Sequence, residues 1–442
     1  MELKNKTKFK ETEIGTIPEE WEILRVSNVS LLITKGTTPT TIGGNFSNQG
    51  VRFIKVENLS DHGKILSDKL TYIDNKSNEL LKRSILQEND VLYSIAGTIG
   101  RVAIVKKDFL PANINQAIAV IRPDFKKIDL DYFKYFLLSS FVKNNLASKI
   151  VQGVQANLSL RELGESILIY PKLTEQKKIA EILSSLDEKI ELNRRINSNL
   201  EKIASLLFKQ WFVDFEFPNE NGEPYKSSGG KMIDSELGEI PEGWKISKIG
   251  DELNTILGGT PRRNNDDYWD NGNISWINSG AINNFPIIES SEFITKKGLD
   301  NSATKLMPVK TVVLPFVISL GKEIKISILG IETSGNQSVL GIIENERFSA
   351  EYIYYWIEKN KNSIYGWATG GAQQHINKQN VDETSILIPP KDIMDKFRII
   401  TVPIFDNIIS NSILNKQVEK LRNSLLPRLM NGKIRVNKNY EQ

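Results

Sequence analysis

The chain has 442 residues, no cysteine, two histidines and a formal net charge of +3. That length exceeds one ordinary hydrophobic core and implies two to four domains, while the missing thiols exclude disulfides, thiolate metal sites and a cysteine nucleophile. The near-neutral charge excludes a uniformly basic coat, so any contact with a polyanion must come from local clusters.

Taken in order, the N-terminal segment MELKNKTKFKETEIG is charged and has no apolar stretch, so no signal peptide and a cytoplasmic location are expected. Short β-branched runs at 51–56, 91–95 and 117–121, bounded by Gly, Asn and Pro, read as strands. Residues 130–145 read as a helix. His62, and later His375, read as surface or packed residues rather than ligands.

From 172 to 212 the pattern changes. Ile179, Leu183, Leu186, Ile190, Leu200, Ile203 and Leu207 recur three or four apart, which a helix gathers into one stripe. Thr174 followed by Glu175 and Gln176, just after Pro171, gives a capped start, and Pro218 lies beyond the aromatic end. A helix of about 37 residues runs about 55 Å, longer than a compact domain needs for its own core, so it requires a partner. Between Ile190 and Leu200 the heptad positions fall on Asn193 and Asn197. Either the helix turns slightly and uses Leu192 and Ile196 there, or paired amides fix the register of a two-helix coil. Residues 213–235, rich in Gly, Asn and Ser, read as a linker.

The chain then repeats itself. Glu13-Ile14-Gly15-Thr16-Ile17-Pro18-Glu19-Glu20-Trp21 returns as Glu236-Leu237-Gly238-Glu239-Ile240-Pro241-Glu242-Gly243-Trp244. Gly36-Thr37-Thr38-Pro39 matches Gly258-Gly259-Thr260-Pro261, Asp90-Val91-Leu92-Tyr93 matches Thr311-Val312-Val313-Leu314, and Asn115-Gln116 matches Asn336-Gln337. Leu130-Asp131-Tyr132 corresponds to Ala350-Glu351-Tyr352. The offset drifts slowly, so this is a duplication of half the chain rather than a short-period solenoid. Strands are expected at 274–277, 311–313 and 339–343, and a helix at 350–360.

A second rod, 391–430, carries Phe397, Ile404, Ile408, Val418, Leu421 and Leu425, with Asn411 and Asn415 where Asn193 and Asn197 fell. Pro403 should kink or restart it. The longest apolar run, 312–320, is interrupted by Pro315 and is about half of what a bilayer requires, so no membrane span is expected. The fold class is therefore α+β: two homologous globules and two long helices, divided as 1–172, 173–212, 213–235, 236–390 and 391–442.

No catalytic constellation survives inspection. Pro389-Pro390 is followed by Lys391 rather than an aromatic, there is no glycine-rich nucleotide loop, and Glu323-Ile324-Lys325 lacks an upstream Pro-Asp and reads as a strand of alternating charge. No catalytic and no metal-ligating residue is assigned. What remains is loop chemistry suited to DNA. Lys35, Thr37, Thr38 and Thr40 in the first half, and Arg262, Arg263 and Asn264 in the second, sit on glycine-bent loops at matching places. Hydroxyls and backbone amides suit phosphate oxygens, while Arg and Asn suit guanine and adenine edges. A second loop pair ends in Arg101 and Lys322, and Arg52 and Lys55 are further candidates for phosphate contacts.

The repeated Glu-x-Gly-x-Ile-Pro-x-x-Trp opening, the Gly-Gly-Thr-Pro loop, Lys189-Ile190-Glu191-Leu192-Asn193-Arg194-Arg195-Ile196-Asn197 and the closing 421–432 segment resemble the specificity subunit of type I restriction-modification systems. The resemblance implies two target recognition domains spaced by antiparallel long helices, binding double-stranded DNA at a bipartite, asymmetric target. It also implies two modification subunits carrying the methyltransferase and, through them, restriction subunits, with S-adenosylmethionine, ATP and Mg belonging to those partners and no cofactor in this chain. The rod length would set the gap between half-sites and the loops would set the letters. The competing class is a coiled-coil scaffold that binds proteins, which accounts for the rods but not for the duplicated loops with their cations.

Overall fold

The computed structural model describes residues 8–60, 63–67, 70–150, 157–319, 323–366 and 373–436. By packing, the chain divides into two units: one runs to Ile190 and resumes at Val418, and the other is Glu191–Gln417. Each unit therefore owns a globule and part of each long helix, a division that cuts across the linear segments suggested by the repeat.

Within the first unit, one four-stranded sheet has the order Ser30–Lys35, Ile118–Pro123, Val91–Ser94, Val102–Ile104. A second has the order Ala112–Ile114, Val51–Ile54, Thr71–Ile73, Phe46–Ser47, with its first two strands parallel. Period-two alternation explains why the strands are apolar throughout. Leu92, Ile118 and Val120 point into a core shared with Ile54 and Ile114 of the second sheet. Val91, Tyr93, Ala119 and Ile121 point the other way, against Tyr132, Phe133 and Phe136. The helix expected at 130–145 is two, Leu130–Leu138 and Ser140–Ile150, because Ser139 adopts an extended conformation and ends the first.

The second unit repeats this frame. Asn254–Leu257, Val339–Ile343, Val312–Pro315 and Ser327–Ile328 form one sheet. Glu292–Ile294, Ile274–Ile277, Thr333–Gly335 and Leu306–Met307 form the other, again with one parallel pair. Leu314, Leu340 and Ile342 face Tyr352, Ile353 and Trp356 of the helix Ala350–Gly366, while Val313 and Val339 face Ile277 and Met307.

The repeated opening motif is structural. In each copy a glycine with positive φ, Gly15 (97°) or Gly238 (90°), turns a hairpin. A hydroxyl donates across that turn to the glycine carbonyl, from Thr12 and from Ser235, at 2.6 Å in both cases. Trp21 is buried and donates to Glu175 at 2.9 Å, tying the hairpin to the start of the first long helix. Trp244 is buried against Phe212, Phe215 and Phe217. The segment read as a linker is thus packed, with Phe217 stacked between Trp244 and Tyr225.

The long helices are Leu173–Phe212 and Lys391–Met430, 40 residues each. The first starts one residue before Thr174. The second runs through Pro403 without the expected restart, because Pro403 lies on an exposed face where its missing N–H deprives only a solvent-facing carbonyl. Pairing is antiparallel within the second unit: Asn193 donates to Asn415 at 2.8 Å, and Asn411 donates to Asn197 at 2.9 Å. Asn197 also donates to Ser412 Oγ and the Ile408 carbonyl, both at 3.1 Å. The amides face the other helix, while Leu192 and Ile196 are exposed.

Two expected seam residues point outward instead. Ile203 is 53% exposed and Leu421 is 48% exposed. A strict alternation of three and four residues from Ile190 passes through Asn193, Asn197, Leu200, Ala204 and Leu207, so Ala204 takes the buried place. On the second helix the same count from Phe397 passes through Thr401, Ile404, Ile408, Asn411, Asn415, Val418, Arg422 and Leu425. Arg422 therefore occupies the position expected of Leu421 and pairs with Asp187, which also accepts from the Tyr135 hydroxyl at 2.6 Å. Ile179, Leu183 and Ile190 are buried and Leu186 half-buried.

The second helix contains an 18-residue stretch of mean hydropathy 1.2, apolar enough by composition to cross a bilayer, which makes it a stronger candidate than 312–320. Its Phe397, Thr401, Phe405 and Ile408 are buried in this unit, and its Asn411 and Asn415 bond across the seam, so the stripe is that of a packed helix.

Candidate nucleic-acid interface

The sequence places Gly36-Thr37-Thr38-Pro39 and Asn115-Gln116 far apart, and the sheet brings them together. The strand Ser30–Lys35 pairs with Ile118–Pro123, so the loop leaving one lies against the turn entering the other. Contact is close enough that a Cβ on Gly36 would sit 2.0 Å from the Ile114 carbonyl oxygen. Asn115 braces the turn: its side-chain oxygen accepts from the Ala117 N–H at 3.2 Å, and its own N–H donates to the Ile54 carbonyl, also at 3.2 Å. Thr38 Oγ1 then donates to Gln116 Oε1. Pro39 is buried behind the loop, and Thr41 Oγ1 donates to the Thr38 carbonyl at 2.7 Å.

The second unit builds the same device. A Cβ on Gly258 would sit 2.1 Å from the Asn336 carbonyl oxygen. Asn336 accepts from the Ser338 N–H at 3.0 Å and donates its own N–H to the Ile277 carbonyl at 2.9 Å. Thr260 Oγ1 donates to Gln337 Oε1 at 2.6 Å, and Pro261 is buried. Two elements of the repeat thus form one clasp per unit, with an exposed glutamine on each.

The expected site residues separate around these clasps. Lys35, Thr40, Arg262 and Asn264 are exposed, and Thr37 and Thr38 half-exposed. Arg263 is stacked: its guanidinium lies 3.8 Å from the Trp269 ring centroid and 4.7 Å from that of Trp276, and it pairs with Glu292. A cation held over two indole faces and beside a carboxylate fixes its loop. Arg52 donates to the Leu110 carbonyl at 3.4 Å, Arg101 to the Val56 carbonyl at 3.4 Å, and the Lys55 ammonium lies 5.4 Å from the Phe46 ring. Those three are thereby tied to the second sheet and its neighbouring turns. Arg83 donates to the Lys35 carbonyl at 3.5 Å, adding a cation beside the first clasp. Lys322 and His62 lie outside the described residues, and His375 is exposed. Residues 323–326 form no strand, and Ile324 is half-buried with its carbonyl accepting from Lys361 at 3.1 Å.

Gln116, Gln337 and Trp269 were not singled out as site residues from sequence. For the glutamines a signal existed, since Asn-Gln recurs at the same place in both halves. Trp269 has no counterpart in the first half and carried none.

The architecture is a duplicated α+β frame with one loop clasp per copy. The family described as type I restriction modification DNA specificity domain matches residues 18–202 and again 241–421, and the chain belongs to that family. It is 29% identical to the type I restriction enzyme MjaIX specificity subunit of Methanocaldococcus jannaschii, over 97% of either chain. It is 26% identical to the HindI specificity subunit of Haemophilus influenzae, over 80% of this chain and 88% of that one. In fold it matches the crystal structure of the type I restriction-modification S subunit from M. genitalium, with a TM-score of 0.55 at 13% identity, covering 97% of this chain and 98% of that one. It is a non-catalytic component whose role is DNA sequence specificity.

Proposed function

We propose that the chain reads a bipartite, asymmetric duplex target, one part per unit, and carries the modification and restriction subunits to it. The observation that carries this reading is the shared frame with unlike loops: the clasps match, while Thr40-Thr41 in one unit stands where Arg262-Arg263 stands in the other. Matched frames offer equivalent surfaces to DNA, and unequal loops read unequal letters. The target lies on cytoplasmic DNA. S-adenosylmethionine, ATP and Mg act on the partner subunits.

Docking of two modification subunits is supported by a second apolar stripe on the first long helix. Leu192, Ile196, Ile203 and Leu206 follow heptad spacing and are 39–66% exposed. Ile399, on the second helix, is 74% exposed. A helix with an unsatisfied apolar stripe suits a partner helix. Leu206→Asp is expected to weaken co-purification with a modification subunit while leaving the fold intact.

The test of the main reading is a map of methylated adenines in the host genome with and without this gene, repeated after exchanging residues 25–170 for those of a relative. Loss of one gapped motif in the knockout, and alteration of only one of its halves in the exchange, is the expected result. A motif altered in both halves contradicts it.

A further inference from the structure

Positions beside the clasp differ between the units: exposed Lys35 corresponds to half-buried Leu257, and exposed Thr40 and Thr41 to exposed Arg262 and Arg263. The exposed threonine–glutamine hydrogen bond is nevertheless present in both. A single exposed hydrogen bond adds on the order of 1 kcal/mol or less to stability, too little to explain why a diverging surface keeps it twice. The clasp also restricts what the glutamine can do. With one lone pair of Oε1 engaged by the threonine hydroxyl, the side chain keeps both Nε2 hydrogens, and no other bond among the described residues uses them. The usual pairing with adenine needs that same oxygen to accept from the base, in competition with the threonine hydroxyl. The two Nε2 hydrogens suit an acceptor such as a phosphate oxygen. Being the same in both units, the glutamine also cannot distinguish two unequal half-targets.

We infer that Gln116 and Gln337 are matched backbone contacts, one per unit, each donating to a DNA phosphate and setting the register from which the differing loops read bases. This rests on the DNA-reading function proposed above. Rigidity supports it, since each glutamine stands on a turn braced by Asn115 or Asn336 and pressed against a glycine that admits no Cβ.

The experiment measures binding of the full-length chain, with its modification subunits, to duplexes carrying the target and each single-base variant, across a range of salt. Gln116→Ala and Gln337→Ala should each lower affinity about three- to tenfold for every duplex alike. Base preference should stay unchanged. The salt slope should also stay unchanged, because a neutral donor displaces no counterion. Gln116→Glu should lose more, through repulsion. Replacing the contacted phosphate by an uncharged methylphosphonate, which keeps only one weaker acceptor oxygen, should shrink the difference between wild type and Gln116→Ala. A changed base preference in one half-site would make the glutamine a base reader, and unchanged affinity would make the clasp purely structural; either overturns the inference. If the wild type shows no sequence preference on any duplex, the proposed function itself falls.

Discussion

The two units share a frame yet treat their buried charge differently. In the first, Asp90 is fully buried and held by Arg122 through two bonds of 2.8 and 2.9 Å, with a third from the Gln87 N–H at 2.7 Å. In the second, the equivalent positions are Thr311, which bonds its own turn at 2.8 Å, and Ile343. Conversely, Asp131 at the start of the first unit's helix is half-exposed beside Lys134, while its counterpart Glu351 is buried. The frame therefore does not depend on any one polar contact. What is common is the order of the first sheet, three strands of the second and the clasp; what differs is how each unit secures its edges, the fourth strand of the second sheet pairing with Thr71–Ile73 in one unit and with Thr333–Gly335 in the other.

The sharpest way to break this comparison is Arg122→Ala. Removing one partner of a buried ion pair leaves the other uncompensated, at a cost of about 3–5 kcal/mol. Amide exchange should accelerate across Val91–Ser94 and Ile118–Pro123, whereas Val312–Pro315 should keep its protection. Equal acceleration in both units would mean that they do not hold together independently. Thr311→Val, the corresponding change in the second unit, should cost only about 1 kcal/mol.

Next in size are Gly36→Ala and Gly258→Ala. Each new Cβ would meet a backbone carbonyl at 2.0 or 2.1 Å, so the loop must lift from the turn at a cost of about 1–3 kcal/mol. Because the geometry is the same, the two losses should agree, and each should weaken DNA binding by opening its clasp. Unequal losses would show that the likeness of the clasps is superficial.

Much of this was legible in the sequence for a physical reason. Repetition, β-branched runs and a three-four apolar spacing are local and periodic, so the strands at 51, 91, 118, 274, 312 and 339, and both long helices, could be placed before any contact was known. Non-local geometry could not. That Arg263 would be drawn onto Trp269 and Trp276 depends on a loop folding back, and nothing in its spacing shows it. At Ile203 and Leu421 hydrophobicity and spacing point to different residues: both are large and apolar, yet the strict heptad selects Ala204 and Arg422, and exposure follows the spacing. Clasp partners were visible as repeated words, but their meeting required the sheet pairing.

Smaller again is the effect expected at the seam. Asn193→Leu removes the donor to Asn415 in a buried site and should cost about 1–2 kcal/mol. The double change Asn193→Leu with Asn415→Leu should recover that stability, because two apolar groups need no partner. Its cost should appear in specificity, as a looser register measurable by cross-linking between the helices. If the double variant stays as unstable as the single one, the amides contribute more than register.

The smallest effect should come from Glu351, and it has the opposite sign. The residue is fully buried, neither carboxylate oxygen has a well-formed hydrogen bond among the described residues, and Lys310, at 3.9 Å, is drawn instead to Asp406 at 2.7 Å. Burial raises its pKa above the ordinary 4.5. The folded protein thus holds this proton more tightly than the unfolded chain does. Below pH 4.5 both states are protonated and the site carries no penalty. As pH rises from there through the raised value, the unfolded chain releases its proton first, stability falls, and the deficit persists at neutral pH. Glu351→Gln keeps the shape and removes the titration. The variant should therefore melt higher than the wild type at pH 7, with the difference vanishing below pH 4.5. If Glu351→Gln instead lowers the Tm at pH 7, the carboxylate is held charged by Lys310, and the second unit secures its helix by an ion pair much as the first secures its strand.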